Sequence, residues 1–182
     1  IAVAHASPAS GLRRSTVQTT VDTSREEQFV VFSLANESFG VDIARVQEIR
    51  RVPEVTHVPR APEFVQGVMN LRGTVIPVVD LRLRFGLPPG ERTRASRVVV
   101  LEAGSQAVGV LVDAVSEVIR IGASAIEPPS SVIAGDGEGF VRGIAKVDER
   151  LILVLDLDRV LGRVLGDLDA VNPSTVEARA AS

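Results

Sequence analysis

Apolar positions in this chain fall in short runs cut by Gly, Pro, Asn and Asp. That spacing belongs to strands and tight turns rather than to long helices. Residues 28–34 (QFVVFSL) and 39–43 (FGVDI) predict an antiparallel pair joined by a turn at Asn36. Residues 44–51 (ARVQEIRR) fit two patterns: Val46 and Ile49 suit a helix, and a strand from Val46 onward is also compatible. Pro53, Pro59 and Pro62 then punctuate the chain, and a short helical turn is expected over 62–65. Residues 68–71 and 75–79 predict two further strands about a turn made by Asn70, Arg72 and Gly73, Gly taking φ > 0 without steric cost. Pro77 has no N–H to give to a ladder, which argues for an edge strand or a bulge. Asp80 stands where the N-cap of a short helix (LRLRF) would stand, with Gly86 as its stop.

The same pattern returns. Residues 67–86 (GVMNLRGTVIPVVDLRLRFG) align with 143–162 (GIAKVDERLILVLDLDRVLG), matching Gly67 to Gly143, Ile76 to Ile152, Val78 to Val154, Asp80 to Asp156 and Gly86 to Gly162. Upstream, 97–102 echoes 28–33, Gly109-Val110 echoes Gly40-Val41, and Val115 to Val118 echoes Val46 to Ile49. One β unit is used twice. Its second copy carries extra residues between 123 and 139, including Pro128-Pro129 and AGDGEG at 134–139, which read as a mobile loop.

Each copy has the size of a small five-stranded barrel, a closed sheet without exposed edges. The expected fold class is therefore mainly β: two five-stranded barrels from an internal repeat, packed together, with short helices. The expected organisation is a flexible extension at 1–27, the paired barrels over 28–165, and a flexible tail at 166–182. The first barrel spans about 28–90 and the second about 95–162, with elements free to interchange between them. The last helix is expected to reach about Leu168 and then fray.

The 182 residues are 45% hydrophobic but only 3% aromatic, with a net charge of −3. Neither a basic surface nor stacking platforms recommend a nucleic-acid partner, and the six Phe are more economical as core. No cysteine is present, which removes disulfides, thiolate nucleophiles and Cys metal sites and fits a reducing compartment. No apolar run is long enough to span a membrane.

Catalytic chemistry is thinly supported. The two histidines are His5, in the N-terminal stretch, and His57, between prolines. His57 reads as an ordinary loop or strand-end residue, without the context of a Ser–His–Asp set. Asp136 and Glu138 are only a fragment of a calcium loop. Asp80 and Asp156, at equivalent positions of a repeat, read as helix caps rather than as paired catalytic carboxylates. The expectation is no catalytic residue, no cofactor and no metal. Glu48 and Arg72 are more informative. If 46–51 is a strand, Val46 and Glu48 share one face, an apolar and a charged residue side by side as in a docking surface. Structure does not require Arg at 72, and its counterpart in the second copy is Asp148. Two solvated surface charges are the equally weighted alternative.

FGVDIARVQEIR (39–50), PEFVQGVMNLRGTVIPVVDLRLRFG (62–86), VGVLVDAVSEVI (108–119) and GIAKVDERLILVLDLDRVL (143–161) together resemble the CheW family of chemotaxis coupling proteins over about 28–165. The resemblance implies two SH3-like barrels and a non-catalytic adaptor. It implies two partners, the cytoplasmic tip of methyl-accepting chemoreceptors and the regulatory domain of the histidine kinase CheA. Localisation would be cytoplasmic, at membrane-associated receptor arrays, without membrane insertion and without nucleic acid. In the family, receptor contacts lie in the groove between the barrels. Matching motif positions carries Val46, Glu48 and Arg72, together with Val98, onto that receptor-binding surface. Asn70 and Gly73 belong to the same motif as shapers of the turn. Kinase contacts are expected on exposed barrel ends. The alternatives are a CheW-like scaffold in another two-component pathway (pili, development) and a small β-barrel ligand-binding protein.

Overall fold

In the computed structural model, residues 25–130 and 139–171 are described. Residues 1–24 of the extension expected at 1–27, most of the AGDGEG loop and the end of the tail lie outside them, while Glu26 and Glu27 belong to a strand rather than to that extension. The first copy supplies β1 (Glu26–Leu34), β2 (Glu37–Asp42), β3 (Val46–Arg51), β4 (Val65–Leu71), β5 (Thr74–Asp80) and α1 (Leu81–Arg84). The second supplies β6 (Arg97–Ala103), β7 (Gln106–Val112), β8 (Ala114–Gly122), β9 (Ile126–Glu127), β10 (Val141–Val147), β11 (Arg150–Leu155) and α2 (Leu157–Val171). Residues 44–51, compatible with either period, resolve into a short 3-10 turn (Ile43–Arg45) and then β3. The Asp42 carboxylate starts that turn by accepting from the Ala44 N–H at 2.9 Å. The helical turn expected at 62–65 is a single hydrogen-bonded turn, with the Val65 N–H donating to the Pro62 carbonyl.

Two sheets form, ordered β8-β1-β2-β11-β10-β9 and β3-β6-β7-β5-β4. Apart from the two-residue β9, each has five strands, as the barrel reading expects. Each sheet draws from both copies of the repeat. The first hairpin of each copy pairs with the later strands of the other, through parallel ladders between β2 and β11 and between β7 and β5. The boundaries 28–90 and 95–162 therefore delimit the repeat along the sequence, not the two sheets. Interchange between them is the rule here, because equivalent strands carry the same apolar pattern and pair equally well within or across copies.

This exchange explains the unbroken apolar runs of β1 and β6. Phe29 and Val31 face a core inside the six-stranded sheet with Ile121, Ala145, Ile152 and Val154. Val98 and Val100 face the matching core of the five-stranded sheet, with Met69, Leu71, Ile76, Val78 and Leu111. The alternate residues Val30, Phe32, Val99 and Leu101 enter a third and larger core between the sheets, where α2 adds Val160, Leu161 and Val164. A strand buried on both faces has no polar alternation. Phe39 and Phe85 continue this core toward Phe140, with ring centroids 5.6 and 5.3 Å apart.

Pro77 departs from the expected edge position. Its strand, β5, lies inside the sheet between β7 and β4. The missing N–H is tolerated because the parallel ladder to β7 begins only at Val78. In the other sheet the equivalent ladder already includes Leu153, the residue matching Pro77. Asp80 caps α1 as expected, accepting from the Arg82 N–H at 2.8 Å and the Leu83 N–H at 3.4 Å. The final helix continues to Val171, past Leu168, so the tail expected from 166 begins in helix.

Candidate functional site

The hairpin of β4 and β5 turns at Arg72 and Gly73, both with positive φ (50° and 87°). Two such residues make the tight turn whose twist suits a two-residue hairpin. The Asn70 side-chain oxygen accepts the Gly73 N–H at 2.8 Å and closes the turn. This places Arg72 at the tip with its side chain 81% exposed, while Glu48 on β3 retains only 22%. The two meet: the Arg72 guanidinium donates to the Glu48 carboxylate at 2.5 Å, and Arg50 adds a longer bond at 3.4 Å. β3 and β4 are the two edges of the five-stranded sheet, so the pair spans the gap that a closed barrel must bridge. Arg72 thus has a structural partner that its turn position alone does not reveal.

Val46 is half-buried and packs on the core between the sheets. Its exposure alternates along β3 with that of Gln47 and Ile49. A bulge between Val46 and Glu48, however, sets Val46 opposite Leu101, toward the core between the sheets, and Glu48 opposite Val100, on the other face, so the two do not share the one face that a regular strand would give them. Val98 does not join them. It is 0% exposed, inside the core of its own sheet, and is corrected from a surface residue to a core residue. Its position in the motif points to the surface, but both faces of β6 are covered here.

Beside the ion pair lies a cleft of about 480 Å³, lined among others by Gln47, Thr74, Val75, Pro77, Glu102 and Gln106. Its walls all belong to the five-stranded sheet and the β6–β7 turn, so it opens at the end of one barrel rather than between the two. Pro77 shapes it, since β5 and β7 are not paired before Val78. Val75 stands 66% exposed at its rim.

Sequence reasoning missed the exposed apolar residues. Among the described residues the large ones are Ile49, Val75, Val118 and Leu151. They are two equivalent pairs of the repeat: Ile49 matches Val118 and Val75 matches Leu151. The available signal was repetition itself, because an apolar residue kept at an outward position in both copies is not explained by the core. The charge pattern around the pairs differs. Glu117, matching Glu48, is held by Arg150 at 2.5 Å, because the turn residue matching Arg72 is Asp148.

A second set of charges ties the copies together. Arg82 on α1 grips Asp113, donating at 2.8 and 3.1 Å from Nε and at 2.5 Å from a terminal nitrogen. The Ala35 N–H donates to the same carboxylate at 2.9 Å. Burial pushes the Asp113 carboxyl up, but the Arg82 hydrogen bond and the Ala35 N–H outweigh it and hold the group below its usual range. Asp80, nearby, goes the other way: desolvation raises it against its two backbone donors. In the second copy the residue matching Arg82 is Asp158, which pairs with Arg45 at 2.9 Å. A bridge recurs at this helix with the charges reversed, its far end shifted by one residue, since Arg45 matches Ala114 rather than Asp113.

Among the described residues no group of His, Asp and Glu could hold a metal ion, and His57 is an exposed residue beside the Thr56 bridge to β4. No described helix is long and apolar enough to cross a membrane. What the geometry offers is surface for protein contact: a cleft, an ion pair on the strand and turn that neighbour it in sequence, and repeated apolar residues.

Two interlocked barrel-like sheets built from a swapped repeat define a class of small β scaffold. Residues 28–165 match the family model for the CheW-like domain. The chain is 35% identical over 135 residues to the chemotaxis protein CheW of Klebsiella aerogenes, covering 74% of this chain and 81% of that one. With the CheW of Helicobacter pylori the identity is 34% over 134 residues, covering 74% and 81%. The crystal structure of the scaffolding protein CheW from Thermoanaerobacter tengcongensis superposes with a TM-score of 0.70 at 43% identity, covering 74% of this chain and 92% of that one. The chain belongs to the CheW family, a family of chemotaxis coupling proteins and not of enzymes.

Proposed function

We propose that this protein is an adaptor that couples chemoreceptors to the histidine kinase CheA, working at receptor arrays on the cytoplasmic side of the membrane. The observation that carries this reading is the Glu48–Arg72 pair beside an open cleft, in a chain whose family is named for chemotaxis. The receptor tip is helical in this reading. It meets Glu48 and Arg72 as a polar rim and finds Val46 and Val75 as apolar contacts, the usual division of labour at an interface. The kinase's regulatory domain, built like this chain, docks on a barrel end, and the repeated couple Val118 and Leu151 offers an apolar surface for it. Contacts of transient signalling type bury less than about 1,200 Å² and are individually weak. Arrangement in an array strengthens them through effective concentration.

The test is calorimetry of the full chain against the regulatory domain of a CheA from the same cell, and then against a receptor-tip fragment. Micromolar binding to both, with only the receptor titration weakened by Arg72→Glu, is the expected result. Absence of binding to every CheA regulatory domain of that cell would leave the fold untouched and overturn the coupling role.

A further inference from the structure

A second polar surface lies where β3 ends beside β6. Arg51 and Arg97 are direct cross-strand partners. Like charges in that relation destabilise a sheet. Among the described residues, neither they nor Arg94 forms an ion pair that would offset the repulsion. Arg51 and Arg94 instead face a common cleft of about 360 Å³, lined also by Val52, Thr93 and Ser96.

The backbone under these arginines is pinned. Ser96 donates its N–H to the Thr93 carbonyl at 3.1 Å. Its hydroxyl accepts the Thr93 N–H at 2.8 Å, and the Thr93 hydroxyl accepts the Ala95 N–H at 3.1 Å. Arg97 donates to the Arg94 and Ser96 carbonyls at 2.7 and 2.8 Å, bonds that fix the side chain and leave its charge standing. The segment 91–97 (ERTRASR) thus concentrates three arginines against one glutamate, in a chain whose net charge is −3. Planar guanidinium groups suit paired hydrogen bonds to carboxylates.

We infer that this patch docks an acidic segment of a protein partner, with Asp or Glu carboxylates seated between Arg51 and Arg94. The cleft has the dimensions of one or two side chains. It carries no aromatic residue on which a base could stack. Its lining offers no exposed apolar anchor of the kind a membrane-surface site combines with its basic residues. The patch also shares β3 with Glu48, so a partner seated at that residue can extend along the strand onto it. The inference stands on the arginines alone and survives if the coupling role fails.

The experiment is fluorescence anisotropy of a labelled octa-glutamate peptide titrated with the full chain. Saturable binding is expected at low salt, weakening as ionic strength rises because the contacts are charged. Reversing both charges, in Arg51→Glu/Arg94→Glu, should weaken it about tenfold or more, given up to about 1 kcal/mol per exposed charge contact. Arg51→Gln/Arg94→Gln, which removes charge with less risk to folding, should give a smaller loss in the same direction. Arg159→Glu, a control on α2, should change nothing. Binding that is absent, or that the double variants do not move, overturns the inference. Single-stranded DNA or phosphatidylserine vesicles held more tightly than the peptide, and released by the same variants, would overturn it equally, by assigning the patch to another polyanion.

Discussion

Arg72 reaches across the open side of the five-stranded sheet and donates to Glu48, joining the β4–β5 turn to the opposite edge strand. One partner is almost fully exposed and the other mostly covered. The pair therefore closes a barrel and displays a charge at once, and the two roles make separable predictions.

As an exposed ion pair it should contribute about 0.2–1 kcal/mol to stability. Arg72→Glu and Glu48→Arg should each leave a folded protein with a slightly lowered Tm, and the double charge swap should recover most of that loss. Receptor coupling should fall in both single variants and stay low in the swap, since a partner reads which charge sits where. Thermal melts beside a receptor-dependent kinase assay would check this. Full kinase activation by either folded single variant would remove these residues from the receptor surface.

Val98 offers the opposite case, a residue with no surface role. Val98→Ala should destabilise by about 2 kcal/mol through lost apolar burial. Val98→Asp and Val78→Asp, which bury an unpaired charge, should unfold the five-stranded barrel. Denaturant titration is the measurement, and an unchanged midpoint for Val78→Asp would contradict the placement of β5.

Gly67 is required by close approach. Its φ is 143°, and a Cβ there would lie 2.1 Å from the Thr56 carbonyl oxygen, where that segment bridges to Val68. Gly143 repeats the arrangement, with a Cβ 2.9 Å from the Glu127 carbonyl oxygen. Gly67→Ala should cost at least about 2 kcal/mol, because the neighbour is backbone and cannot step aside. A melt within a degree of wild type would show that the 56–67 crossing adjusts freely.

Arg82–Asp113 makes the stability pH-dependent. A carboxylate whose folded pKa is depressed contributes stability that is complete above its unfolded value, about 3.9, and is lost as pH falls through the lower folded value. Asp113→Asn should therefore lower stability by about 1–3 kcal/mol at neutral pH and by progressively less below about pH 4. Asp80 acts with the opposite sign, its raised pKa favouring the fold as it gains a proton on acidification. The wild-type acid limb mixes both, so the difference between the Tm profiles of wild type and Asp113→Asn is the quantity to follow.

The sequence by itself determined the elements and their duplication. Alternation and β-branched runs placed the strands, Asp80 announced its helix, and Asn70 with Gly73 specified a turn, because these are local effects of backbone freedom and side-chain reach. The repeat disclosed two sheets, and the motifs that fill it disclosed the family. Only the tertiary structure decided how the copies share their strands. Equivalent strands have equal claims on one another, and the choice rests on contacts far apart in the chain, such as Arg82 with Asp113 and Arg45 with Asp158. The same distance hid the site. Nothing local shows that Glu48 meets Arg72, that Val98 is covered on both faces, or that Pro77 opens a cleft, since each depends on which strand lies alongside.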